Sequence, residues 1–140
     1  MKVSMKFLKD RKAIETVEAA ITFPIAILIM LALVNLGLVV FGQQAIQAAA
    51  RHGARMGSVS QTCAACRAVS EARGSLASLS LVQNPKVTVL APGGVAGSTL
   101  KIRVTGEVPN FFGSLAALFP GLYKGPFQLK AEATFRQEGW

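Results

Sequence analysis

From Ala19 to Gly42 the chain runs for 24 residues without a charged side chain. At about 1.5 Å of rise per residue, a helix over that run reaches about 36 Å. A hydrocarbon core of about 30 Å is crossed by such a helix with some tilt. The two flanks differ. Lys2, Lys6, Lys9, Arg11 and Lys12 come before the run, followed by Glu15 and Glu18, whereas the stretch just after it has only Arg51 and Arg55. Lys and Arg gather on the cytoplasmic flank of a membrane helix. The sequence therefore predicts a single-pass anchor, with the N-terminus in the cytoplasm and the C-terminal part exported.

The net charge of +8 does not form one patch, because five of the fifteen basic residues lie in the first twelve positions. That cluster suits the anionic headgroups of the lipid bilayer. No basic stripe interleaved with aromatics is present, so nucleic acid is not an expected partner. Ala48-Ala49-Ala50 resembles the small-residue end of a secretory signal. The apolar run, however, far exceeds the usual signal core of about 7–15 residues, and the segment reads as an uncleaved anchor at this end.

Helical patterning persists from about Ala13 to Gly57, interrupted only by Pro24, which membrane helices tolerate. This gives a basic leader over residues 1–13, a long helix over 14–57 with its transmembrane part at 19–42, and an exported domain over 58–140. Beyond Gly42, Ala45, Ala49, Gly53 and Gly57 recur every fourth residue and form one stripe of small side chains. Two readings of the stripe stand side by side: packing on the chain's own domain, or close approach to another subunit's helix.

The rest of the chain reads as α+β. Ala64 to Leu81 patterns as a second helix, which Asn84-Pro85 ends. Three strand signals follow: Lys86–Ala91, Thr99–Val108 and Phe127–Phe135, the last two alternating apolar and polar residues. Such alternation predicts an antiparallel sheet with one face covered by the helices and one wet. Between the second and third strands lies an unusually apolar excursion, Asn110 to Pro126. It either holds a short helix over Phe112–Leu118 that caps the core or contacts the membrane surface or a partner.

Glu18 stands at the mouth of the apolar run. A carboxylate there is costly inside a bilayer unless partnered, and composition alone leaves it as a headgroup-level flank. The order KDRKAIETVEAAITFP adds more: basic Lys9 to Lys12, small Ala13, then Val17-Glu18 before an apolar run with an early Pro24. This order resembles type IV pilin-like proteins, and most closely the TadE-like family. QQAIQAAARHGAR, Gln43 to Arg55, is similar to the stretch after the membrane segment in that family, and ATFRQE, Ala133 to Glu138, is similar to its last strand.

The resemblance implies a prepilin-type peptidase as a partner, cutting between Ala13 and Ile14 and leaving Glu18 as the fifth residue. Where the family more often has Gly before the cut, this chain has Ala13. The resemblance further implies a pseudopilin or minor pilin of the tight-adherence pilus, held in the inner (cytoplasmic) membrane. Its helix would pack on other pilin-like subunits, with Glu18 setting the register. The alternative is a single-pass structural subunit of a multi-subunit membrane complex.

Cys63 and Cys66 form CAAC. In an exported domain the simplest reading is one local disulfide. A redox pair is second, since the βαβ pattern that accompanies a thioredoxin-like CxxC is missing. A c-type haem site needs His where Arg67 stands, and zinc needs four ligands, with only His52 left to help. No carboxylate pair, phosphate loop or Ser–His–Asp set is recognisable. The chain is thus expected to be no enzyme and to need no cofactor or metal.

Overall fold

The computed structural model describes residues 11–113, 121 and 123–138. Most of the leader (residues 1–10) and most of the expected Phe112–Leu118 helix lie outside the described residues. Five elements follow in order: α1 (Arg11–Ser58), α2 (Ala64–Ala77), β1 (Gln83–Pro92), β2 (Thr99–Val108) and β3 (Phe127–Arg136). The chain forms two compact units, Met1–Val34 and Asn35–Trp140. In the first unit the described residues are helical, and from Ile14 to Val34 all but Leu28 are exposed.

The second unit is an α+β domain. Its sheet has the order β1-β2-β3, antiparallel throughout. The β2–β3 ladder runs without a break from Thr99↔Arg136 to Val108↔Phe127. Because side chains alternate across a strand, Leu100, Ile102, Val104 and Val108 of β2 share one face with Leu129, Ala131 and Ala133 of β3, and all are buried. The opposite face carries Lys101, Arg103, Thr105 and Glu107 opposite Thr134, Glu132, Lys130 and Gln128.

The helices cover the apolar face. On α1 the buried residues Ile46, Ala49, Ala50, Gly53, Ala54 and Gly57 are spaced by one, three or four positions, which places them on one side. On α2 Ala64, Ala68, Ala72 and Leu76 do the same. The two helices are close because their contacting residues are small. A Cβ on Gly53 would sit 2.6 Å from the Ala68 carbonyl oxygen and 2.7 Å from the Ala72 Cβ. A Cβ on Gly57 would sit 2.6 Å from Leu100 Cδ2 and 2.7 Å from the Ala64 carbonyl oxygen. Both glycines are therefore required by close approach.

Within the domain, two boundaries differ from the sequence expectation by three residues or more. α2 ends at Ala77 rather than Leu81, with the Leu79 N–H turning back to the Leu76 carbonyl at 3.0 Å. β1 begins at Gln83, three residues early, and takes in Asn84-Pro85. The strand accommodates Pro85 because β1 is an edge strand and its register shifts between Gln83 and Lys86. Asn84 takes φ 48° there, a left-handed conformation that Asn adopts more readily than most residues.

Candidate functional site

The first helix is the candidate site, and one side of it becomes buried from residue 35 onward, while Leu36, Val40 and Phe41 remain exposed. Before residue 35, large apolar side chains face outward: Ile21 is 62% exposed, Phe23 68%, Met30 67% and Leu33 64%. By length and composition α1 is a candidate membrane span. A soluble domain has no reason to present so long an apolar surface, whereas lipid tails solvate it without cost.

From Asn35 onward the helix belongs to the domain. Asn35 is buried, and its side-chain amide Nδ2 donates to Asn110 Oδ1 at 3.1 Å. Leu38 and Val39 pack against the core, and a Cβ on Gly42 would meet Val108 Cγ2 at 2.5 Å. One side of the last third of the uncharged run, residues 35–42, thus packs on the domain, while Leu36, Val40 and Phe41 stay exposed. Sequence reading missed Asn35 and Asn110 as a pair. The available signal was the one strongly polar side chain in the second half of an otherwise apolar stretch.

Glu15 and Glu18 are both exposed on α1, and among the described residues neither has an ion-pair partner. Ile14 is 53% exposed. Ala13 lies within α1, so the Ala13–Ile14 bond is helical here. Ile14, Glu15 and Glu18 thus all lie on the exposed part of the helix.

The small stripe faces inward. Ala45 is half-buried and Ala49, Gly53 and Gly57 are buried, with Gly53 and Gly57 against α2. Of the two readings of the stripe, packing on the chain's own domain is the arrangement seen. His52, on the exposed side, has Nε2 3.6 Å from Glu71 Oε2, while Arg67 Nη2 lies 2.9 Å from Glu71 Oε1. This group joins α1 to the surface of α2.

Cys63 and Cys66 are at disulfide distance, with Cα atoms 5.3 Å apart. Cys63 is also the N-cap of α2: it takes the extended backbone a cap needs, and its sulfur accepts from the Cys66 N–H at 3.2 Å. Among the described residues no group of three or more His, Cys, Asp or Glu is arranged to hold a metal ion.

One electrostatic cluster lies on the wet face of the sheet. Glu132 is surrounded by Lys101 (2.9 Å), Arg103 (2.8 Å) and Lys130 (3.1 Å). Hydrogen bonds from Lys101 first, then Arg103 and Lys130, lower its pKa to about 2. Lys130 also has its backbone carbonyl bonded by the Gln43 side-chain amide at 2.9 Å, which ties α1 to β3.

No curated protein and no solved structure gives a significant match to this chain. The family model described as TadE-like protein matches residues 15–55, so the segment that carries Glu18, most of the exposed apolar surface and the stripe as far as Gly53 is similar to that family.

Proposed function

We propose that the chain is a membrane-anchored pseudopilin that acts in assembly of a tight-adherence pilus by helix packing, with no catalytic step of its own. The observation that carries this reading is the coincidence of the TadE-like match at residues 15–55 with the exposed apolar half of α1. The N-terminus stays in the cytoplasm, since basic residues crowd that flank, and the α+β domain is exported from the inner membrane. A prepilin peptidase removes residues 1–13. The surface offered to lipid and to other pilin-like subunits is the exposed apolar side of α1 from Ile14 to Phe41, since Gly53 and Gly57 of the small stripe already face α2.

Glu18 sets the axial register in this reading. An unpaired carboxylate near lipid is penalised, and a neighbour's α-ammonium relieves the penalty at one offset only. The test compares Glu18→Gln with Glu15→Gln in the native host. Glu18→Gln is expected to insert into the membrane normally and to lose co-purification with pilus subunits, while Glu15→Gln assembles like wild type. Equal assembly by both variants removes the register role. The intact mass of the native protein tests processing. A chain that retains residues 1–13 is instead a stationary single-pass subunit of a membrane complex.

A further inference from the structure

α2 opens on a disulfide whose two sulfurs are not equivalent. Cys66 is exposed, whereas Cys63 is half-buried and its sulfur accepts from the Cys66 N–H at 3.2 Å. Cys63 is the N-cap of a 14-residue helix. When the bridge opens, the Cys63 sulfur is therefore left at the positive end of α2 with a backbone donor already aimed at it. Such a setting favours thiolate over thiol. In thiol–disulfide exchange the sulfur that is more stable as a thiolate leaves faster.

Access to the bridge matches this asymmetry. An open hollow of about 520 Å³ borders both cysteines, with Met56, Val59, Thr62, Ser70 and Arg67 around it. Among the described residues lining the hollow Arg67 is the charged one, and its guanidinium is held by Glu71 at 2.9 Å. A thiolate approaching Cys66 thus meets a cation and an apolar wall. The fold, in turn, does not lean on the bridge. α2 docks on α1 through Ala64, Ala68 and Ala72 against Gly53 and Gly57, and a loop this short restrains the unfolded chain little.

We propose that Cys63–Cys66 is an exchange-active disulfide whose co-reactant is a protein dithiol. One thiolate of the dithiol attacks Cys66 Sγ. The Cys63–Cys66 bond breaks, a mixed disulfide forms at Cys66, and the electron pair leaves on Cys63 Sγ. The second thiol of the dithiol loses its proton and attacks its own partner sulfur in the mixed disulfide, releasing Cys66 as thiolate. The dithiol ends as a disulfide, two electrons have passed to this chain, and two protons follow onto its sulfurs. The proposal is independent of the membrane reading of α1.

The test uses the unaltered full chain in detergent with its disulfide intact. The probe is a thioredoxin in which the second cysteine of the CxxC is replaced by serine, so that the reaction stops at the mixed disulfide. A covalent adduct is expected on non-reducing gels, with peptide mass analysis placing roughly tenfold more of it on Cys66 than on Cys63. Near-ultraviolet circular dichroism of the chain after full reduction should match the oxidised chain. No adduct, an adduct chiefly on Cys63, or loss of the near-ultraviolet signal on reduction each overturns the proposal, the last by making the bridge a structural staple. A second measurement compares thiolate absorbance in Cys66→Ala and Cys63→Ala. Cys63 as the sole thiol should carry about tenfold more thiolate at neutral pH than Cys66 as the sole thiol. Equal or lower ionisation of Cys63 overturns its role as the leaving sulfur.

Discussion

Glu132 lies directly opposite Arg103 in the β2–β3 ladder, and Arg103 Nε donates to Glu132 Oε1 at 2.8 Å. Lys101 and Lys130 close on the same carboxylate, and its pKa falls from 4.5 to about 2, chiefly through Lys101. A carboxyl group with a depressed folded pKa contributes stability above its unfolded value. That contribution is lost as pH falls through the folded value. The window therefore runs from about pH 4.5 down to about 2. Acid unfolding of wild type and Glu132→Gln should show wild type more stable at neutral pH. The gap should close across that window, because below it both chains carry a neutral group at position 132. A constant gap would mean that the cluster acts through packing instead of charge.

Gly53 and Gly74 are both helical glycines and should respond to alanine with opposite sign. Gly74 has open space where a Cβ would go, so Gly74→Ala should stabilise the domain by about 0.5–1 kcal/mol through helix propensity. At Gly53 the Cβ meets a backbone carbonyl at 2.6 Å, which cannot swing aside as a side-chain tip can. Overpacking of this kind costs about 1–3 kcal/mol, more than propensity returns. Thermal unfolding of the two full-length variants followed by near-ultraviolet circular dichroism reads both signs.

These two glycines show how far the sequence was legible. The every-fourth-residue stripe announced a close helix contact, and alternation along Thr99–Val108 and Phe127–Phe135 announced the sheet and its wet face. Each pattern is a period, and a period names a face without naming its partner. That is why α2 emerged as the neighbour of Gly53 and Gly57 only with the structure. The same limit applies to residues 35–42. Hydropathy gives lipid-facing and protein-facing residues the same score, so the side that packs on the domain could not be told from the side of Leu36, Val40 and Phe41, which stays exposed. The strand boundary at Gln83 was hidden because Asn84-Pro85 is a breaker in most settings, and edge position plus a register shift are tertiary facts. The Glu132 cluster depends on register across two strands, which sequence spacing does not fix. Glu18, by contrast, was visible only as a motif, and the described residues give it no partner to argue from.

The Cys63–Cys66 bridge should contribute little. A loop this short constrains the unfolded chain by about 2 kcal/mol at most in the chain-entropy account. The capping role of Cys63 is separable from the cross-link. Replacing the pair as Cys63→Ser with Cys66→Ala keeps an acceptor over the first turn of α2, whereas Cys63→Ala with Cys66→Ala removes it. The first pair should be more stable than the second by about 1 kcal/mol, measured as the shift in denaturation midpoint under identical conditions. Equal midpoints would show that the sulfur at position 63 caps nothing.

Asn35→Leu discriminates between a residue solvated by lipid and one that belongs to the domain. If position 35 faced acyl chains, leucine would be neutral or favourable there, since an amide in hydrocarbon is costly. In the structure the Asn35 amide is buried and bonded to Asn110, with a separation of 75 residues along the chain. Leucine removes that bond and leaves Asn110 Oδ1 with the Phe112 N–H alone. The net cost of one such hydrogen bond is about 1 kcal/mol, rising where a partner is left unsatisfied. The loss should be local before it is global, because the bond secures the loop start and end while the sheet keeps its own ladder. Limited proteolysis of reconstituted protein should therefore cut Asn35→Leu faster than wild type near Tyr123 and Lys124, with no change near Val95. Unchanged cleavage at both places would mean that Asn110 holds the loop through the Tyr123 carbonyl without help from α1.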